Sequence, residues 1–278
     1  MMNSKHKGWL RILLLVIPYL FITVLFQLAG NKIASLFFYH STYLESSEQH
    51  LIDSFTNLLG TFTTLWIFMK FVDKENFTNL GFSTKNRLVE FIVGILIGLF
   101  IMAAGYFLLL YIDEINFQRI VFNTKEIILS CLLFFIVAVV EETLLRGYVL
   151  RNLMISFNKY VALIVSSLLF SVMHALNPNI DLFSLFNLFL AGLLLGISYI
   201  HTKNLWFPIA LHFSWNLFQT HFGFNVSGLD LYSLIEFSTT ENNLLNGGNF
   251  GLEGSIISII AEILTFLGVG YYYNRLNS

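Results

Sequence analysis

Charged residues are scarce in this chain of 278 residues. Asp, Glu, Lys and Arg make up 12% of it, about half the share that is usual in a soluble domain, whereas hydrophobic residues make up 56%. The mean hydropathy is +0.72. A soluble domain of this length would need a polar shell around its core, and this composition does not supply one. The shortage of charge therefore predicts an integral membrane protein.

The small net charge and the single cysteine limit further what kind of protein this is. The 15 Lys and Arg residues and 17 Asp and Glu residues give a net charge of −2, which leaves no basic patch of useful size and argues against a nucleic-acid partner. Cys131 is the single cysteine, so no disulfide can form within the chain and cysteine usage does not indicate the compartment.

Long apolar stretches are what the sequence has instead. A hydrocarbon core of about 30 Å needs about 20 mostly apolar residues per helix, and no segment shows the alternation of a barrel strand. The predicted fold is all-α, a polytopic helical bundle in the membrane that forms a single domain over residues 1–278. About eight transmembrane helices are expected, at about 9–29, 51–72, 89–112, 126–150, 160–176, 183–201, 205–222 and 255–274.

The distribution of Lys and Arg predicts the orientation. With a cytoplasmic N-terminus, only Lys32, Arg119 and Lys125 fall on the outer side, and Arg146 lies within the membrane. Both termini are therefore predicted to be cytoplasmic, and the polar stretch of about 223–254 is expected outside, as a loop with room for an interfacial helix. The basic residues on the inner side are Lys5, Lys7, Arg11, Lys70, Lys74, Lys85, Arg87, Arg151, Lys159, Lys203 and Arg275.

The sequence gives few indications of how the helices pack against one another. Two pairs of glycines four residues apart, Gly94 with Gly98 and Gly192 with Gly196, predict flat faces for close helix contact. The chain shows no internal repeat of the kind found in transporters that are built from inverted halves. The sequence does not indicate the oligomeric state.

Several polar side chains interrupt the apolar stretches, although a charge near the bilayer centre costs at least ~2.5 kcal/mol. Glu142 and Arg146 stand at i and i+4 with the acid first, the favoured order for an ion pair. Such a pair would leave Glu141, about 100° further round the helix, to face a cavity. A purely structural charge cluster explains the pair equally well. For Glu262 a structural role is the favoured interpretation, with cavity lining as the alternative.

Two histidines and an asparagine accompany Glu141. His212 and Asn216 are also at i and i+4 and share one helical face, and Pro208 either begins their helix or kinks it. A helix rises 1.5 Å per residue, which places Glu141, His212, Asn216 and His174 in the middle or the cytoplasmic half of the membrane. One water-filled pocket can therefore hold them. A single such histidine is more often a satisfied interior residue, but the combination favours a functional site.

This set of groups suits hydrolysis. A glutamate beside a histidine can act as a general base near neutral pH, so Glu141 with His174 would activate a water for attack on a peptide carbonyl. His212 and Asn216 would donate hydrogen bonds to the resulting oxyanion. No Ser or Cys with a paired base indicates a covalent route. A zinc site made of Glu141, His174 and His212 stays open as an alternative, although the sequence has no HExxH helix.

Three motifs carry a resemblance to a known family. The sequence "EETLLR" (141–146) fits EExxxR, "FSVMH" (170–174) fits FxxxH, and "HFSWN" (212–216) fits HxxxN. In this order on hydrophobic stretches, they resemble the CPBP family of intramembrane proteases, also called the Abi or CAAX-protease-like family. The resemblance covers roughly residues 79–220, which would be the catalytic core.

The resemblance implies a membrane-embedded endopeptidase. Glu141 would be the water-activating base with His174 as its partner, which agrees with the roles inferred from spacing. His212 and Asn216 would stabilise the oxyanion, and the remaining motif residues would hold the site in shape. Those supporting residues are Glu142 and Arg146. Members of the family are often described as metalloproteases, whereas the glutamate scheme needs no metal.

The substrate is a separate question. Eukaryotic relatives trim prenylated CaaX proteins, and bacterial relatives are linked to bacteriocin immunity, bacteriocin maturation and membrane-protein processing. The usage of Phe, Ile, Asn and Lys suits a bacterium with a low GC content, so the expected location is the bacterial plasma membrane. We expect a peptide or membrane-anchored protein to be cleaved near the cytoplasmic face. The alternatives are a bacteriocin immunity or scaffold protein without catalysis, and a transporter with a Glu and His proton relay.

Overall fold

Helices account for most of the chain. The structure, a computed structural model, describes residues 7–37 and 47–276, and the expected positions of both termini and of Lys5 lie outside these ranges. The elements are α1 (Gly8–Phe37), α2 (Ser47–Ile67), α3 (Leu88–Tyr111), β1 (Ile115–Ile120), α4 (Thr124–Glu142), α5 (Arg151–Ser156), α6 (Lys159–Met173), α7 (Leu182–Thr202), α8 (Trp206–His221), β2 (Ile235–Thr239) and α9 (Ile256–Leu276).

The predicted helical bundle is confirmed. Each of the eight apolar stretches is helical, and within the described ranges six helices are long and apolar enough to cross a membrane. Large apolar side chains such as Ile17, Phe100 and Leu264 are exposed on the outside of the bundle, where lipid would cover them. The chain is thus a multi-pass integral membrane protein. The number of spans and the side of the termini stay predictions.

The two ends of the bundle differ in charge and in structure. We call one the basic end, formed by the connections at 74–87, 157–158 and 203–205 and held by ion pairs such as Arg11 with Asp73 at 2.6 Å. The loop end comprises the connections at 112–123, 174–181 and 222–255. There β1 and β2 pair as an antiparallel ribbon, so the expected outer loop contains a strand and short 3₁₀ turns rather than an interfacial α-helix.

Both glycine pairs lie at close helix contacts, as predicted. A Cβ on Gly98 of α3 would lie 2.1 Å from Ser214 Oγ on α8, and a Cβ on Gly192 of α7 would lie 2.8 Å from the Cα of Ser167 on α6. Any larger side chain would push these helices apart. The contact of α3 with α8 therefore fixes the position of the helix that carries His212 and Asn216.

The span predicted at about 126–150 lies within one continuous helical segment, Thr124–Ser156, but the winding of that segment changes after Glu142. From Thr143 to Leu150 the chain winds as a π-helix whose eight residues are all buried, and α5 follows directly. The wider turn begins immediately after the glutamate doublet. Such turns inside helices occur frequently at functional sites.

Candidate active site

A cavity of about 310 Å³ lies among the helices of the loop-end half of the bundle, and all four candidate catalytic residues line it. Glu141 comes from the last turn of α4, His174 follows the last residue of α6, and His212 and Asn216 come from α8. The remaining wall is largely apolar. Residues that are up to 75 positions apart in sequence thus share one enclosed space.

Glu141 lies between two imidazoles. Its Oε2 is 3.9 Å from His174 Nε2 and 4.0 Å from His212 Nε2, and the side chain is 24% exposed. This oxygen is buried and accepts no hydrogen bond from the part of the protein that the structure describes. Both distances are too long for a direct hydrogen bond. A water about 2.8 Å from Glu141 Oε2 and from one of the two imidazole nitrogens would, however, bridge them, with an angle of roughly 90° between its two contacts. The spacing suits a carboxylate and an imidazole that hold one water.

The backbone orients His174. Its Nδ1 is 2.8 Å from the carbonyl oxygen of Phe170, one helical turn earlier. A carbonyl can only accept, so Nδ1 carries the hydrogen and donates it. When the ring carries only this hydrogen, its unprotonated Nε2 is turned towards Glu141. The FxxxH spacing of this segment places the donor over that carbonyl.

A carboxylate orients His212. Its Nδ1 is 2.9 Å from Glu142 Oε1, while Nε2 faces Glu141. Pro208 is the third residue of α8, so it lies in the first turn, where its missing N–H costs no helical hydrogen bond. It begins the helix, which is the first of the two predicted alternatives. Asn216 lies one turn beyond His212 and lines the same cavity.

The expected ion pair beneath the cavity is present. Arg146 Nη1 donates to Glu142 Oε1 at 2.8 Å, and the two side chains are 1% and 0% exposed. Arg146 also donates to the carbonyl of Gly192 at 3.2 Å, and its guanidinium carbon is 4.6 Å from the centre of the Phe170 ring. One oxygen of Glu142 thus joins Arg146 to His212. The sequence did not predict this link between α4 and α8.

The zinc alternative does not fit these side chains. Ligand atoms around a tetrahedral zinc ion with bonds of about 2.0–2.2 Å lie roughly 3.3–3.6 Å apart. The distances from Glu141 Oε2 to the two imidazole nitrogens, 3.9 and 4.0 Å, are wider. Nor do three or more His, Cys, Asp and Glu side chains form a group able to hold a metal elsewhere in residues 7–37 and 47–276. The ligand set Glu141, His174 and His212 is therefore not supported, and the proposed mechanism passes through no metal.

Two further carboxylates line the cavity. Glu262 of α9 is 1% exposed, and neither of its oxygens has a hydrogen-bond partner among the described residues. The structure thus places it in the wall, the less favoured of the two sequence interpretations. Glu253, in a 3₁₀ turn before α9, accepts a hydrogen bond from the backbone N–H of Ser227. Burial raises the pKa of the Glu253 carboxyl, and the hydrogen bond from Ser227 counteracts that rise. Sequence analysis missed Glu253, because an acid in a polar loop gives no signal.

The cavity extends to the loop end of the bundle. Its wall includes His50 and Ser54 at the start of α2, and Val226 and Leu229 in the connection between α8 and α9. Among the described residues, none of the lining side chains comes from the connections of the basic end. With the predicted topology, the cavity therefore extends towards the outer side and not towards the cytoplasmic face that the depth estimate favoured.

The comparisons with known proteins bear on the same residues. Residues 123–218, about a third of the chain, match the family described as Rce1-like, "Type II CAAX prenyl endopeptidase Rce1-like". Over these residues the match agrees with the resemblance to the CPBP, or CAAX-protease-like, family, and it contains all seven residues that the three motifs specify. At the level of the family it supports an intramembrane endopeptidase. The comparison with curated proteins gives no match, and neither does the comparison with solved structures.

Proposed function

We propose that this chain, with its CAAX-protease-like segment, hydrolyses a peptide bond of a peptide or membrane-anchored protein by means of a water activated by Glu141. The observation that carries the proposal is the position of Glu141 Oε2, which is buried, without a partner in the described protein, and within 4.0 Å of two imidazole nitrogens. A buried carboxylate oxygen without a hydrogen bond is costly, so its position calls for a ligand that it binds.

The first step forms the new carbon–oxygen bond. Glu141 takes a proton from the water while the water oxygen attacks the scissile carbonyl carbon, and His174 Nε2 accepts the second hydrogen bond of that water. The carbonyl π electrons move to oxygen and give a tetrahedral oxyanion. The protonated Glu141 then passes its proton to the departing nitrogen as the carbon–nitrogen bond breaks. The products are a carboxylic acid and an amine, and Glu141 is again ionised.

The oxyanion needs donors that are already in place. The Asn216 amide can donate from α8. Because Nδ1 of His212 donates to the Glu142 carboxylate 2.9 Å away, Nε2 can also donate only when the ring is doubly protonated, and that carboxylate favours the doubly protonated form. In this scheme Glu142 and Arg146 support the site without contact with the substrate.

The scheme is tested with detergent-purified protein and a peptide library that includes a prenylated CAAX-type peptide and its unprenylated counterpart. We expect new peptide termini by mass spectrometry, and loss of these products in the His174→Ala protein. His221→Ala is the matched control, because His221 lies on α8 outside the cavity and contacts Ser130. Cleavage that survives His174→Ala would contradict the role of His174. A protein that binds peptides and cleaves none would support the alternative function, that of an immunity or scaffold protein.

We also propose that the substrate enters from the outer side of the membrane. Cysteine labelling tests this in a Cys131→Ser background, which has no other cysteine. Asp230 is exposed at the loop end between two residues of the cavity wall, and Lys85 is exposed at the basic end. A membrane-impermeant maleimide should label the Asp230→Cys protein in intact cells, and the Lys85→Cys protein only after permeabilisation. The reverse pattern would place the cavity on the cytoplasmic side.

A further inference from the structure

The cavity wall is acidic beyond what hydrolysis requires. Its titratable side chains are three carboxyls, those of Glu141, Glu253 and Glu262, together with three histidines, and no Lys or Arg of the described residues lines it. Arg146, which lies behind the wall, is already paired with Glu142 and buried. The proposed mechanism uses one of the three carboxyls. The other two therefore lack a function in it.

Of the carboxyls in the cavity wall, Glu262 is the one whose two oxygens both lack a hydrogen-bond partner among the described residues. Its side chain is 1% exposed. Glu253 lines the same cavity, so a second carboxyl faces the same enclosed space. Two buried acids without a cation nearby are unfavourable for folding, since each loses its hydration and, when ionised, repels the other. A positively charged group bound between them would remove this cost.

Glu253 connects this pair to the proposed scissile bond. It comes from the loop-end turn Leu252–Gly254 and is held by the backbone of Ser227 in the opposite loop. It lines the same cavity as His174 and His212, so it lies near the catalytic groups. A group bound by Glu253 and Glu262 would therefore sit a short distance along a peptide whose carbonyl lies beside Glu141.

We propose that Glu253 and Glu262 form a subsite for the positively charged side chain of a Lys or Arg residue of the substrate near the cleaved bond. This inference rests on the proposed peptidase activity and adds a substrate class to it, namely basic peptides or membrane-protein segments with a basic residue next to an apolar one. The largely apolar remainder of the wall accommodates the neighbouring substrate side chains. A hydrogen bond between charged partners in such a site gives a selectivity of roughly 10- to 100-fold.

The test uses pairs of N-acetylated peptides that differ only in Arg or citrulline, its uncharged analogue of similar shape, at each position near the cleavage site. Acetylation removes the terminal amine, so a preference can only come from the side chain. For the wild-type protein we expect kcat/KM to be at least about tenfold higher for Arg than for citrulline at one position. In the Glu262→Gln protein this ratio should fall towards one. The Glu241→Gln protein, altered at an exposed glutamate of the loop end outside the cavity, should keep it.

A second variant and a second measurement allow the test to be decided even if the Glu262→Gln protein does not fold. Glu253→Gln should also lower the ratio, and thermal unfolding of each variant in detergent shows whether it is folded. Should neither variant fold, competition by non-hydrolysable Arg and citrulline peptides on the wild-type protein gives the same comparison. Equal cleavage and equal binding of the two peptides would overturn the subsite and leave the peptidase intact. Absence of any cleavage together with tighter binding of the Arg peptide would instead overturn the peptidase and leave a cation-binding cavity.

Discussion

Replacement of Glu141 by Gln is expected to lower kcat/KM for peptide cleavage by about 10²- to 10⁴-fold, the contribution typical of a general base. Gln has nearly the same shape and keeps a hydrogen-bonding oxygen, but it cannot take a proton from water. The substrate should still bind, because the change leaves the cavity's volume and its other walls unaltered. The measurement is the initial rate of cleavage of one peptide by detergent-purified protein, with kcat and KM determined separately.

The matched control for this change is Glu126→Gln. Glu126 lies in the first turn of the same helix, α4, and is outside the lining of the cavity. Its replacement should leave the rate within about twofold of the wild type. A rate in the Glu141→Gln protein as high as in this control would contradict the scheme. A bacteriocin-immunity phenotype that survived Glu141→Ala at normal expression would favour a binding role.

Local spacing explains why much of this site could be predicted from the sequence. A bilayer offers backbone groups no partners, so each long apolar stretch had to become a helix, and each did. Within a helix, residues four apart lie on one face. This rule alone predicted the contact of Glu142 with Arg146 and the shared orientation of His212 and Asn216, both of which the structure contains.

Contacts between helices could not be predicted in the same way. The hydrogen bond from His212 to Glu142 joins residues 70 positions apart. It depends on how closely α8 approaches α4, which is set by the Gly98 contact with α3 and by the π-helical turn after Glu142. The sequence does not show which helix a glycine or a π-helical turn will contact. The pairing of the two helices therefore had to be observed.

For a related reason, the sequence did not predict towards which end of the bundle the cavity extends. Counting residues along a helix measures the depth of Glu141 from Arg151, but it does not show towards which end the space beside Glu141 continues. That depends on where the connection at 222–255 folds, and this connection brings Val226 and Glu253 into the wall. A polar loop without periodicity carries no pattern from which that position can be derived. The extra acidic residue of the cavity was missed with it.

Replacement of Arg146 by Met is expected to destabilise the protein by about 3–5 kcal/mol, because the change removes one partner of a fully buried ion pair and leaves the Glu142 carboxylate in an apolar interior. His212 then remains as a partner of that carboxylate, through a single hydrogen bond. Thermal unfolding of the purified protein in detergent should therefore show a clear fall in Tm. Arg119→Met is the control, because Arg119 and Glu236 form an exposed ion pair on the β ribbon, and its loss should change Tm little.

The double replacement of Glu142 by Gln and Arg146 by Met separates stability from activity. With both charges gone, no carboxylate is left uncompensated, so most of the lost stability should return. Cleavage should stay low, because a neutral amide at position 142 cannot support the doubly protonated ring of His212 that donates to the oxyanion, and loss of one such donor costs about 10²- to 10³-fold in kcat. Recovery of full activity in the double variant would show that the Glu142 charge serves only to hold Arg146. Recovery of stability without activity would show that the buried pair fixes His212 for catalysis.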